Sequence, residues 1–282
     1  MRELTLDGLE GLYLRGMKQA LKHQLEDPAW NNATFEERLA DLIAAENTYR
    51  DNRLLEGRLK RARVSQNARI EELEHRAERR FDKALFQSLS ACRWLKDKRN
   101  AILSGPTGVG KTFLVSALTH KACQEGFSAR YLRLPRLLAD LEIAKAEGGY
   151  RGKLASLARI DLIVLDDWLI TPLSEAGRRD LLEILDDRYD KHSTMIAAQL
   201  PPEHWHEAIG EPTLADAILD RWVGHWRGGS KPLFQCPPSE PDLILWHHPA
   251  LQTTTIGFSC LPCASGSLHG SFGKRPVPFD VF

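Results

Sequence analysis

Gly105-Pro106-Thr107-Gly108-Val109-Gly110-Lys111-Thr112 decides how this chain is read. The stretch fits G-x-x-x-x-G-K-[ST], and its flanks give the pattern mechanical meaning. The apolar run Ala101-Ile-Leu-Ser104 before it reads as a buried strand. Lys111 to Glu125 after it carries Leu114, Val115, Leu118 and Ala122 at helical spacing. A strand, a glycine loop and a helix in that order let backbone N–H groups turn inward around a polyphosphate. The new helix aims its positive end at the same anion. Lys111 is expected to neutralise the β/γ-phosphates, and Thr112 to offer its hydroxyl to Mg²⁺. The expectation is a nucleoside triphosphate site.

Working outward, residues from about 81 to 221 alternate strand and helix patterns. Phe127 to Leu134 reads as a second strand, with a helix from near Pro135. Ile160-Asp-Leu-Ile-Val-Leu165 is almost unbroken apolar, as a parallel strand covered on both faces should be, and it ends in Asp166-Asp167. An acid at such a strand end can hold magnesium, and a second can orient and deprotonate the attacking water. A helix follows Ser174, and Thr194 to Gln199 reads as a fourth strand. Loop, acids and Gln199 can then reach one crevice of an open α/β sheet. Gln199 is a candidate to bond the γ-phosphate or the water; a satisfied strand-end amide is the other reading. Arg221, in Ala217-Ile-Leu-Asp-Arg221, is a candidate finger for a neighbouring subunit, with a helix-surface ion pair as the other reading.

Composition bounds the rest. The chain has 282 residues, enough for one large or two modest domains, and its 38 basic and 38 acidic residues cancel. Overall charge therefore points to no polyanionic partner. No run of about eighteen apolar residues is present, and Met1-Arg-Glu-Leu-Thr5 lacks a signal peptide's apolar core. A cytoplasmic protein without a membrane contact is expected. Cys260-Leu-Pro-Cys263 has no second pair or finger-spaced histidines, and reads as chance rather than zinc.

Residues 1 to about 80 read as a small helical domain. Leu9, Leu12, Met17, Leu21 and Leu25 form a loose stripe; Phe35, Leu39, Leu42 and Ile43 form another, with Thr34 and Glu37 placed as a capping box. Basic residues accumulate from Tyr49, most densely in Arg58-Leu-Lys60-Arg61-Ala-Arg63. That tract is either a solvated helical face or a phosphate-backbone contact; its adjacency to the nucleotide module favours DNA.

Leu12-Tyr-Leu-Arg-Gly-Met17, the Gly105–Thr112 loop, Leu132-Arg-Leu-Pro-Arg-Leu-Leu138, Leu165-Asp-Asp-Trp168 and Arg178-Arg-Asp-Leu-Leu-Glu-Ile-Leu185 together resemble the IstB family. So do Gln199-Leu-Pro, Glu203-His-Trp-His-Glu207 and the stretch from Pro212 to Arg221. IstB proteins are AAA+ helper ATPases of insertion sequences, related to the DnaC helicase loader. The resemblance spans roughly residues 5 to 221. It implies an α/β AAA+ P-loop core whose parallel sheet is flanked by helices, after a helical N-terminal domain. It also implies a DNA-stimulated ATPase that assembles with ATP and Mg²⁺ as an oligomer on duplex DNA and engages an IstA-like transposase. Lys111 and Thr112, Asp166 and Asp167, Gln199, and Arg221 match the Walker A, Walker B, sensor 1 and finger positions. A helicase loader is the nearest alternative; a catalytically crippled ATP- and DNA-binding remnant is another.

After Arg221 the pattern departs from the family, whose members continue with a short helix, a final strand and a Gly-x-Ser-x-Arg-like element bearing the sensor 2 arginine. Residues 222–282 instead hold 8 of the 15 prolines and only 7 charged residues among 61. So abrupt a change suggests a shifted reading frame or a joined 3′ end, with an acquired binding tail as the other reading. Loss of the final strand is expected to leave Ala101–Ser104 with an unpaired edge. Asp242–Trp246 or Thr253–Phe258 are candidate substitutes, and nothing in the sequence fixes their register. Retained ATP binding with weakened hydrolysis and assembly is the expectation.

Overall fold

The charge-rich N-terminus forms α1 (Arg2–Gly11), α2 (Arg15–Glu26) and α3 (Phe35–Ala62). A computed structural model describes residues 2–64, 68–71, 83–223, 245–247 and 253–257. Tyr13, at φ 60°, breaks the first apolar stripe into two helices. Thr34 caps α3 as its sequence predicts: Glu37 N donates to its hydroxyl at 3.2 Å, and Thr34 N donates to the Glu37 carboxylate at 2.8 Å. The α2–α3 contact is close and polar. A Cβ on Gly16 would meet the Ala45 carbonyl at 2.5 Å. Buried Glu46 accepts from Gly16 N at 2.8 Å and Met17 N at 3.2 Å, satisfying orphan donors at the start of α2. With that polar side facing α2, the second stripe is left in water: Phe35, Leu39 and Ile43 are exposed.

The other end of α3 does different work. Leu55, Leu59 and buried Ala62 pack into the apolar layer beneath the sheet, beside α4 (Lys83–Ser90) and α5 (Arg93–Lys96). One long helix thus belongs to both the N-terminal hairpin and the core.

Four apolar runs become parallel strands: β1 (Asn100–Ser104), β2 (Ala129–Arg133), β3 (Leu162–Trp168) and β4 (Ser193–Ala198), in spatial order β2-β3-β4-β1. β4 is buried at every position, as a strand covered on both faces must be. α6 (Lys111–Gln124) covers one face with Leu114, Val115 and Leu118. The other face carries α7 (Leu134–Ala146), α8 (Tyr150–Ala158), α9 (Glu175–Arg188), α10 (Trp205–Ile209) and α11 (Pro212–Val223). Three tryptophans anchor that layer: the Trp168 ring centroid lies 5.3 Å from Trp205 and 6.1 Å from Trp222.

Two further strands complete the sheet, β5 (Leu245–His247) and β6 (Thr253–Gly257). β6 runs parallel to β1, with Asn100 opposite Thr253 and Ser104 opposite Gly257, and β5 pairs antiparallel on its outer side. The expectation of an unpaired β1 edge is therefore corrected. The β-branched run Thr253-Thr-Thr-Ile256 supplies a strand that suits the place and removes β1's open ladder. Cys236, Cys260, Cys263 and most of the tail lie outside the described residues.

The N-terminal ends of the parallel strands are tied together by side chains. Arg188, 1% exposed, donates to the Leu157, Ile160, Asp161 and Ser193 carbonyls and to the Thr194 hydroxyl. Burial pushes its pKa down to about 9, so the guanidinium stays charged at neutral pH. Asp161 accepts from Ser128 N at 2.8 Å and its hydroxyl at 2.7 Å. The Asn100 side chain accepts from Thr194 N at 2.9 Å and donates to the Trp222 carbonyl at 3.4 Å.

Candidate nucleotide site

β1 ends at Ser104 and the chain turns through the glycine loop into α6. Gly105 N donates to the Ala198 carbonyl at 3.1 Å, which seats the start of the loop against the end of β4. Gly108 at φ 88° and Gly110 at φ 94° hold left-handed conformations that disfavour a side chain. Gly110 is also the residue before α6, so the helix's first N–H groups open toward the loop. Lys111, 8% exposed, folds back over this turn: its Nζ donates to the Gly105 carbonyl at 2.6 Å and the Pro106 carbonyl at 2.8 Å. Burial lowers its pKa, and the nearby charges of Asp166 and Asp167 oppose that shift. A cation parked on loop carbonyls, inside a ring of glycines, can exchange those acceptors for phosphate oxygens.

The acids come from β3, which runs on through both of them to Trp168 rather than stopping at Leu165 as its apolar run suggests. Between Leu165 and Trp168 its register with β4 slips, and Asp167 sits at φ 58°. That irregularity re-aims consecutive carboxylates instead of sending them to opposite faces. Asp166, 6% exposed, accepts from the Thr112 hydroxyl at 3.3 Å through Oδ2 and from Asp167 N at 2.9 Å through Oδ1. The Tyr131 hydroxyl also donates to Asp166 Oδ2. Asp167 is half-buried, with Arg133 Nε 3.6 Å from its Oδ2. Thr112 and Asp166 form an all-oxygen pair of the kind a hard divalent cation takes, and on that chemistry they fit Mg²⁺.

Gln199 follows Ala198 directly, exposed, on the same side as the loop. The structure therefore brings Gly105–Thr112, Asp166, Asp167 and Gln199 to one end of the sheet. Arg221 lies at the opposite end. Its Nε donates to Asp186 Oδ1 at 2.5 Å, and it lines a small pocket with Lys98, Asn100, His192 and Thr194. It does not reach the phosphate loop of its own chain. Of the basic tract, Lys60, Arg61 and Arg63 are exposed and Arg58 half-buried at the end of α3, beside the edge strand β2. Arg130 donates to the Arg61 carbonyl at 3.2 Å.

Tyr131, Arg133 and Arg188 escape sequence reasoning. Their roles depend on which strands are neighbours, and strand order is not written in any local pattern. Arg133 sits opposite Asp166 in the β2–β3 ladder only because those two strands pair.

The model for the IstB-like ATP binding protein family matches residues 8–227. The insertion sequence ATP-binding protein y4pL of Sinorhizobium fredii is 43% identical over 219 residues, covering 78% of this chain and 89% of the relative. The ATP-binding protein of insertion sequence IS1162 from Pseudomonas fluorescens is 43% identical over 202 residues, 71% and 87% of the two chains. The corresponding IS21 protein of Pseudomonas aeruginosa is 30% identical over 217 residues, 77% and 82%. Among solved structures, the DnaC helicase loader aligns at 19% identity with a TM-score of 0.42, covering 49% of this chain and 84% of that one. The chain belongs to the IstB-like ATP-binding proteins of insertion sequences. Residues 228–282 lie outside the family match. Among the described residues no helix is long and apolar enough to cross a membrane.

Proposed function

We propose that the chain is a DNA-stimulated ATPase serving transposition. It binds ATP with Mg²⁺, assembles as an oligomer on duplex DNA and engages an IstA-like transposase. The observation that carries the hydrolytic reading is the contact between Thr112 and Asp166 beneath the Lys111 loop, with Asp167 beside them. The loop amides and Lys111 would hold the β/γ-phosphates, and Thr112 and Asp166 would hold the metal. Mg²⁺, when bound, would offset the negative charge that develops on the phosphates. Asp167 would accept a proton from the attacking water, and Gln199 would orient it. Arg221, remote from its own loop, would exchange its pair with Asp186 for a neighbour's site, which would make turnover depend on assembly. The exposed Lys60, Arg61 and Arg63, with Arg58, are the proposed phosphate-backbone contact.

Turnover measured with and without duplex DNA tests this reading, alongside sedimentation of the protein with ATP and DNA. We expect DNA to stimulate hydrolysis and Lys111→Ala to weaken ATP binding at least about a hundredfold, as loss of a charge-assisted phosphate contact should. Equal ATP binding by wild type and Lys111→Ala would end it. A second reading has one specific support: the family match stops at residue 227, and the sequence of residues 228–282 holds no Gly-x-Ser-x-Arg-like element. On that reading ATP binds but turns over slowly. Restoring a family C-terminal segment would then raise the rate on DNA; an unchanged rate would remove it.

A further inference from the structure

Tyr131 is 7% exposed and sits in an apolar layer with Leu103, Leu114 and Val164, where a phenylalanine ring would pack equally well. A buried hydroxyl needs a partner to offset its lost hydration. Here the partner is Asp166 Oδ2, the oxygen that also accepts from Thr112. With Asp167 N on Oδ1, three donors fix the carboxylate in one orientation.

That orientation matters for Thr112. To present a lone pair to a metal, its hydroxyl must send its proton elsewhere, and Asp166 Oδ2 is the acceptor in place. A freely rotating Asp166 would lose that contact for part of the time. We propose that Tyr131 is a positioning residue for the metal half of the site, holding Asp166 so that Thr112 and Asp166 bind Mg²⁺ as a preformed pair. It touches neither nucleotide nor metal and acts through Asp166 alone, as outer partners of metal ligands do. The inference rests on the nucleotide site proposed above.

The test is Tyr131→Phe, which removes one oxygen and keeps the ring. Binding of the non-hydrolysable analogue β,γ-methylene-ATP is measured by calorimetry in EDTA and in Mg²⁺. The expected result is affinity within about twofold of wild type in EDTA and about tenfold weaker in Mg²⁺, the lower end of the loss typical when a metal ligand's outer partner is removed. In an Asp166→Asn background the same change should add nothing, since the two act as one unit. Unaltered Mg²⁺-dependent binding by Tyr131→Phe overturns the proposal. So does a loss equal in both buffers, or a chain that fails to fold, because the hydroxyl would then serve the fold. A wild type that binds the analogue in neither buffer overturns the nucleotide site itself, and this inference with it.

Discussion

The two ends of the parallel sheet are built on opposite terms. At the N-terminal ends of the strands, polar groups are largely bonded to one another: Arg188 alone serves four carbonyls and a hydroxyl, while Asp161 and Asn100 bridge neighbouring strands. At the C-terminal ends, polar groups keep spare capacity. Lys111 leans on loop carbonyls, Gln199 is exposed, and the Thr112 oxygen retains lone pairs. The first arrangement spends its hydrogen bonds on the fold. The second holds them available for a ligand, a division expected wherever an open α/β sheet carries a site.

Substituting the two buried cations sharpens this contrast most. Arg188→Met leaves several buried acceptors unsatisfied and is expected to cost about 3–5 kcal/mol of stability. Lys111→Met removes a desolvated charge whose acceptors lie near solvent, and should change stability by less than about 1 kcal/mol while removing ATP binding. Chemical denaturation of both variants checks the pair. Comparable losses in the two would show that the loop end contributes to folding as much as the base does.

Asp161 gives a smaller effect with a pH signature. Burial works against its ionisation, but the Ser128 amide and hydroxyl, with His192 and Lys98 nearby, hold its pKa below the ordinary 3.8. A depressed carboxyl stabilises the fold fully above its unfolded value, and that stability is lost as pH falls through the folded one. Asp161→Asn is expected to cost about 1–2 kcal/mol at neutral pH, discounted for partial exposure, and to flatten the acid limb of stability below pH 3.8. An acid limb identical to wild type would place the titration elsewhere.

This contrast also explains what could be read in advance. Loop, flanking strand and helix were legible because one local stretch dictates all three, and the Thr34 capping box for the same reason. The acids were legible as a strand end, although the irregularity that turns both toward the site was not, since it arises from pairing with β4. Tyr131 and Arg188 reveal their roles only when β2 meets β3 and when α9 meets the strand starts. The Thr253–Ile256 run carried a strand signal without a partner; its place beside β1 is a property of the assembled sheet. The Phe35–Ile43 stripe marks a helix but not a buried face, because Glu46 and Gln24 make the polar side of α3 the packed one.

The smallest effect concerns Arg221, where the cross-bonded end meets solvent. Its pair with Asp186 is well aligned but exposed, with 37% and 47% of the two side chains accessible. Exposed pairs contribute little once side-chain entropy and screening are counted, so Arg221→Ala should cost less than about 1 kcal/mol of stability. Asp186→Ala should cost about as little. The two variants separate in turnover if Arg221 acts across a subunit interface. Removing the arginine would then abolish DNA-stimulated hydrolysis with ATP affinity intact, whereas removing Asp186 frees the guanidinium and leaves hydrolysis at or above wild type. Mixing Arg221→Ala with Lys111→Ala chains extends the test: each lacks what the other supplies, so partial recovery of activity is the expected outcome. No recovery, with both variants still entering oligomers on DNA, would return Arg221 to the ordinary ion pair it forms in the single chain.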